Sequence, residues 1–148
     1  MYNLFDAANA DQLLARLEKI TPGNKAQWGK MSVSQMLAHC AISLDTPFGP
    51  DRKQGFMGKI FGKMGKKSTL KPEAFKQGLP TDPSFVVKDQ RDFEKEKSKL
   101  TAGIQRFVSG GPSAITCKKH PFFGDFSAND WSFLIHKHLD HHFRQFGA

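Results

Sequence analysis

Two histidines near the C-terminus, His138 and His142 in the run HLDHHFRQFG, stand four residues apart. On a helix that spacing places the two imidazoles one turn apart on the same face. It is also the spacing used in helical zinc sites, because two nitrogens then reach one ion at about 2.0–2.1 Å. Two ligands are too few to hold a metal. On spacing alone a second reading stays open, in which one imidazole packs against Trp131 and the other reaches solvent. Outside the last helix, His39 is the one histidine expected inside a helix, which makes it the natural third donor. Periodicity puts it at the margin of its helix's apolar stripe, so the wheel by itself reads it as a boundary residue. His136 points away from the pair, His141 lies toward the edge, and His120 in HPFFGDFS reads as a structural hydrogen-bonding residue.

The elements that must carry these residues are legible from apolar periodicity and cap signals. With Trp131 at zero on a helical wheel, Leu134, Ile135, Leu139 and Phe146 share one broad arc, and His138 and His142 fall in its middle. Two imidazoles in an apolar interior cost desolvation unless each ring nitrogen finds a partner, and a divalent cation satisfies both. This last helix is expected from near Ser127, with Asp130 three residues later as a partial capping box, to Phe146. His39 belongs to a second helix that Ser32 and Gln35 open as a capping box and Thr46-Pro47 closes near Asp45. A first helix is expected over about Asn9 to Ile20, stopped by Thr21-Pro22-Gly23. A third long one is expected over about Lys88 to Val108, stopped by Gly110-Gly111-Pro112. Four helices, no strand alternation and no internal repeat predict an all-α fold: a four-helix bundle with a long crossover between the second and third helices. A single domain over residues 1–148 is expected, carrying a Gly/Lys-rich insertion at about 48–84.

Composition bounds the function classes. A chain of 148 residues can bury one core without disulfide or structural-metal staples, so a metal here is expected to be functional. Cys40 and Cys117 read as reduced thiols, Cys40 as a small core residue. The 14 phenylalanines suggest a core filled with rings or a cavity lined by them. MYNLFDAANADQLL has neither a basic n-region nor an apolar h-region, and no stretch approaches a membrane span, so a cytoplasmic address is expected. The net charge of +8 is concentrated: residues 51–77 hold eight Lys or Arg against two acids, a local excess of six. Charge confined to one segment argues against nucleic-acid binding by the whole chain. Within that segment, GFMGKIFGKMGKK spaces Phe56, Met57, Ile60, Phe61 and Met64 as on a helix that Gly58 and Gly62 weaken.

HLDHHFRQFG resembles the His-x-x-x-His motif, with a glutamine two residues after the second histidine's neighbour, in the last helix of the DinB-like superfamily. MSVSQMLAHC resembles that superfamily's second helix with its single metal-binding histidine. WGKMSVSQMLAHC paired with HPFFGDFSANDWSFLIHKHLDHHFRQFG looks like one bacterial branch of these proteins, and the resemblance spans nearly the whole chain. It implies a four-helix bundle with a divalent metal, nickel or zinc, at one end of the core. Position by position the ligands would be His39, His138 and His142, with Gln145 as a partner orienting a ligand. Three protein ligands leave coordination positions open, the mark of a catalytic site. The resemblance further implies a metal-dependent enzyme using a low-molecular-weight thiol, a transferase or hydrolase, and a homodimer formed through helices. Asp45 and Asp140 lie on the metal-bearing helices, though neither is clearly placed as a base. The competing class is a non-catalytic binding module that lays the basic amphipathic segment 56–67 on a membrane or nucleic acid. Against a membrane role stands a mobile flap whose Phe and Met residues cover the open end of the bundle, and this flap reading is preferred.

Overall fold

The computed structural model describes residues 2–148 and is mostly helical, with one small antiparallel sheet. Five α-helices occur among the described residues: α1 (Ala7–Glu18), α2 (Val33–Asp45), α3 (Phe56–Thr69), α4 (Phe93–Gly110) and α5 (Ala128–Gln145). The two strands, β1 (Lys119–His120) and β2 (Gly124–Asp125), pair Lys119 with Asp125 and His120 with Gly124. The all-α expectation is corrected to this extent: two residues per strand are too few to show any alternation in sequence.

The cap chemistry explains where the helices begin. Ser32 and Gln35 exchange side-chain and backbone bonds at the start of α2, and Ser127 and Asp130 do so at α5, a complete capping box. Asp6 and Asp92 cap α1 and α4 by accepting from the N–H groups of Asn9 and Lys95, so α1 starts two residues before the periodic run and α4 starts at Phe93 rather than near Lys88. At the far end of α4, Gly111 takes φ 58°, a left-handed conformation that stops the helix.

α2 packs against α4 and α5, and α1 packs against the same two helices. Their apolar stripes meet in one core that includes Leu13, Leu17, Met36, Leu37, Leu100, Ile104, Phe107, Leu139 and Phe143, all essentially without solvent exposure. Cys40 and Cys117 are buried free thiols, and burial pushes the Cys40 thiol well above its ordinary range. Among the described residues no helix is long and apolar enough to cross a membrane.

The segment at 48–84 is more ordered than its glycine content predicts, because α3 is a full 14-residue helix. Its main packing partner is β2. Lys137 of α5 holds its end: the ammonium, nearly solvent-free, donates to the carbonyl oxygens of Thr69 and Lys71 at 2.8 Å each. Burial lowers the pKa of Lys137, and two carbonyl acceptors at a helix C-terminus are what keep a cation tolerable there.

Candidate metal centre

The structure brings His39, His138 and His142 together. Nε2 of His138 lies 2.9 Å from Nε2 of His39 and 3.1 Å from Nε2 of His142, and the three ring centroids are 4.6–4.8 Å apart. His39 reaches the cluster from α2, and the other two from successive turns of α5. His39 and His142 are buried, and His138 is partly so.

The remaining ring nitrogens decide where the protons sit. Nδ1 of His39 is 2.8 Å from the carbonyl oxygen of Phe85, which can only accept, so Nδ1 carries the proton and Nε2 is a bare lone pair. Nδ1 of His142 is 2.7 Å from Oε1 of Gln145. The amide of Gln145 is itself oriented, since its Nε2 donates to the carbonyl oxygen of Trp28 at 2.6 Å. Oε1 therefore faces His142 and accepts, and Nε2 of His142 is likewise bare. Two lone pairs thus converge on Nε2 of His138, which has at most one proton to offer and can satisfy only one of them.

This arrangement fits a cation. Two nitrogens about 2.1 Å from one ion are roughly 3.0 Å apart at a right angle and roughly 3.4 Å apart at the tetrahedral angle. The 2.9 and 3.1 Å separations from His138 are close to those values, and all three donor atoms lie within 4.8 Å of one another. A carbonyl or amide acceptor behind a ligating imidazole is the usual way its tautomer is set. His138 has no such anchor. Its Nδ1 is buried and has no hydrogen-bond partner among the described residues, and the same is true of Nε1 of Trp28.

Electrostatics also favour neutral, ligand-competent rings. Burial lowers the pKa of His39, with the bond to Phe85 opposing it slightly. Burial and the neighbouring His39 push His142 down to about 3. His138 is driven well below the ordinary histidine range by burial and by the two rings it faces.

The other candidates lie elsewhere. His136 accepts from the backbone N–H of Asn3. His141 sits beside the cluster, its ring 5.1 Å from His142 and in edge contact with Trp28 and Phe75. His120 accepts from the N–H groups of Phe122 and Phe123 and stacks on Phe123. Burial brings it down to about 4. Trp131 packs on His120 and Phe126, so the alternative in which it receives His138 or His142 is not seen. Neither acid is at the centre: Asp140 is held by Arg16 at 2.8 Å and Arg144 at 3.0 Å, and Asp45 is exposed at the far end of α2. The flap reading is also corrected. Phe56, Met57, Ile60, Phe61 and Met64 are exposed; from the insertion it is Phe75 that reaches His141, and just beyond it the carbonyl oxygen of Phe85 reaches His39.

Sequence reasoning missed the carbonyls of Phe85 and Trp28. Backbone acceptors have no side-chain signature, so neither had a signal to find. Compared with known families, residues 4–148 match the one described as "Protein of unknown function (DUF1569)", and the chain belongs to it. No curated protein and no solved structure matches the chain.

Proposed function

We propose that this DUF1569 protein is a metal-dependent enzyme of the DinB-like kind, in which His39, His138 and His142 hold one divalent ion, nickel or zinc, through their Nε2 atoms. The observation that carries the reading is the convergence of two bare Nε2 lone pairs on a third imidazole, with the outer nitrogens of two rings committed to oxygen acceptors. The packing of α1, α2, α4 and α5 on one another, with α3 in the connection between α2 and α4, supports a four-helix bundle with a long crossover as its frame.

A three-histidine ion with no carboxylate in its ligand set keeps positions open for a small ligand and stabilises an anionic sulfur or oxygen bound there. The protein's own part is to fix the tautomers through Phe85, Trp28 and Gln145 and to keep the rings neutral by burial. Phe75 packs on His141 at the margin of the cluster. The substrate class in this reading is a low-molecular-weight thiol, and the reaction class is group transfer to or from its sulfur.

The test begins with metal content. Protein purified without a histidine tag and reconstituted with nickel, zinc or cobalt should take up about one equivalent, and each of His39→Ala, His138→Ala and His142→Ala should lose it. Uptake unchanged in all three variants would sink the site. Adding glutathione or cysteine to the cobalt-loaded protein should then produce a thiolate-to-cobalt charge-transfer band. A loaded protein whose spectrum ignores both thiols would leave a metal protein and remove the thiol reading.

A further inference from the structure

α3 is folded inside out relative to an ordinary surface helix. Its glycines, Gly58, Gly62 and Gly65, share one face, and that face is pressed on the Phe122 backbone and ring. A Cβ at Gly58 would stand 2.6 Å from the carbonyl oxygen of Phe122, so only glycine permits this approach. The side chain of Gln54 ties the contact down by donating to the carbonyl oxygens of Gly58 and Phe122 at 2.7 and 2.8 Å. Lys66 adds a bond to Asp130 at 2.7 Å, and Lys137 holds the C-terminal end. With the small face inward, Phe56, Met57, Ile60, Phe61 and Met64 form a continuous outward stripe along a helix about 21 Å long. These five side chains are 43–76% exposed. A contiguous apolar patch held outward in this way marks an interaction surface.

Beside that stripe runs a groove of about 760 Å³ between α3 and the β1–β2 hairpin. Arg52, Lys53, Lys59, Lys63, Lys66 and Lys119 line it, against Asp51 and Asp125. Lys59, Lys63 and Lys67 are exposed and have no ion-pair partner among the described residues. Apolar stripe and basic groove are therefore adjacent faces of one rigid helix.

We infer that this face docks on an anionic phospholipid surface, the apolar stripe entering the headgroup–acyl boundary while the basic groove takes lipid phosphates. The charge selects the occupant. A second copy of the chain would bring the same excess of lysines against itself, and a neutral apolar partner would leave the groove uncompensated. A nucleic acid would match the lysines but leave Phe56, Ile60 and Met64 in water. An anionic lipid surface offers both an apolar layer and fixed negative charge within one helix diameter. The docking is independent of the histidine cluster.

Co-sedimentation of the full chain with phosphatidylcholine vesicles, with and without phosphatidylglycerol, tests the inference. Binding should appear on the anionic vesicles and weaken as salt is raised. Each lysine near an anionic leaflet is worth about fivefold in partitioning, so Lys59→Glu with Lys63→Glu should reduce it at least roughly twenty-five-fold. Phe56→Ser with Phe61→Ser should reduce it by about tenfold or more at constant charge. Both pairs are exposed and should leave the circular dichroism and Tm unchanged, which separates docking from folding. The inference is overturned if anionic and neutral vesicles bind alike, or if the phenylalanine pair binds as well as wild type. It is also overturned if inorganic phosphate or a DNA duplex binds in a lysine-dependent way while anionic vesicles do not.

Discussion

Gln145 decides which nitrogen of His142 carries the proton: its Oε1 lies 2.7 Å from Nδ1, and it is held in that orientation by donating to the carbonyl oxygen of Trp28 at 2.6 Å. The backbone before α2 thereby sets the lone pair that His142 presents to His138, one turn away on α5.

Replacing the glutamine tests that relationship. Gln145→Leu removes the acceptor, frees the imidazole to take either tautomer, and should weaken metal affinity by roughly 10–100-fold while stoichiometry at saturating metal stays the same. Competition against a chelator of known affinity measures it. An affinity equal to wild type would mean that the tautomer is set by something other than Gln145.

The metal-free protein should lose stability as pH falls from the ordinary histidine range. His39, His138 and His142 all have folded pKa values below their unfolded ones, so the unfolded chain binds more protons in the window between the two. Stability is then full above pH ~6.5 and declines as pH drops toward the folded value, about 3 for His142. His120, at about 4, acts with the same sign. Urea unfolding in chelator at a series of pH values should show this slope, and His142→Ala should flatten it.

His138 is predicted to trade stability for binding. Its Nδ1 is buried without a partner and its Nε2 faces two lone pairs, so His138→Leu removes a cost of about 1–3 kcal/mol from the metal-free fold. Tm in chelator should rise by a few degrees, roughly 2–8 °C, while metal uptake disappears. A lower Tm would show that the polar ring is satisfied in solution.

Gly62→Ala gives a prediction whose sign separates two accounts of α3. Helix propensity alone would make the substitution stabilising by about 1 kcal/mol. Here the new Cβ would meet the carbonyl oxygen of Phe122 and the Gln54 amide, so α3 should lift from the hairpin and the protein should be less stable. Limited proteolysis within 48–84 should become faster, with metal stoichiometry unchanged.

Lys137→Met keeps most of the length of the side chain and removes its charge. The carbonyls of Thr69 and Lys71 lose their donor, at a cost of about 1–3 kcal/mol. Hydrogen exchange at the C-terminal end of α3 should accelerate before that of α5.

Much of the frame is local chemistry and was readable residue by residue. Ser32 with Gln35, and Ser127 with Asp130, announce the starts of α2 and α5 because a capping box needs only residues three apart. The i, i+4 pairing of His138 and His142 follows from helical pitch, and the apolar arc around them follows from the same period. His39 is different. It meets His138 across 99 residues, and wheel analysis leaves it at a boundary, so it was marked as a ligand only by its place inside a helix and by the family resemblance.

Tertiary structure alone decided the rest, because the deciding partners are distant or are backbone. The proton positions on His39 and His142 are set by carbonyls of Phe85 and Trp28, which any residue type supplies equally well. The orientation of α3 reverses the usual rule that a helix buries its apolar face. Its sequence fixes two opposite faces, one of glycine and one of large apolar side chains. Which of them turns inward depends on Phe122, whose backbone offers a ridge that only the glycine face can approach.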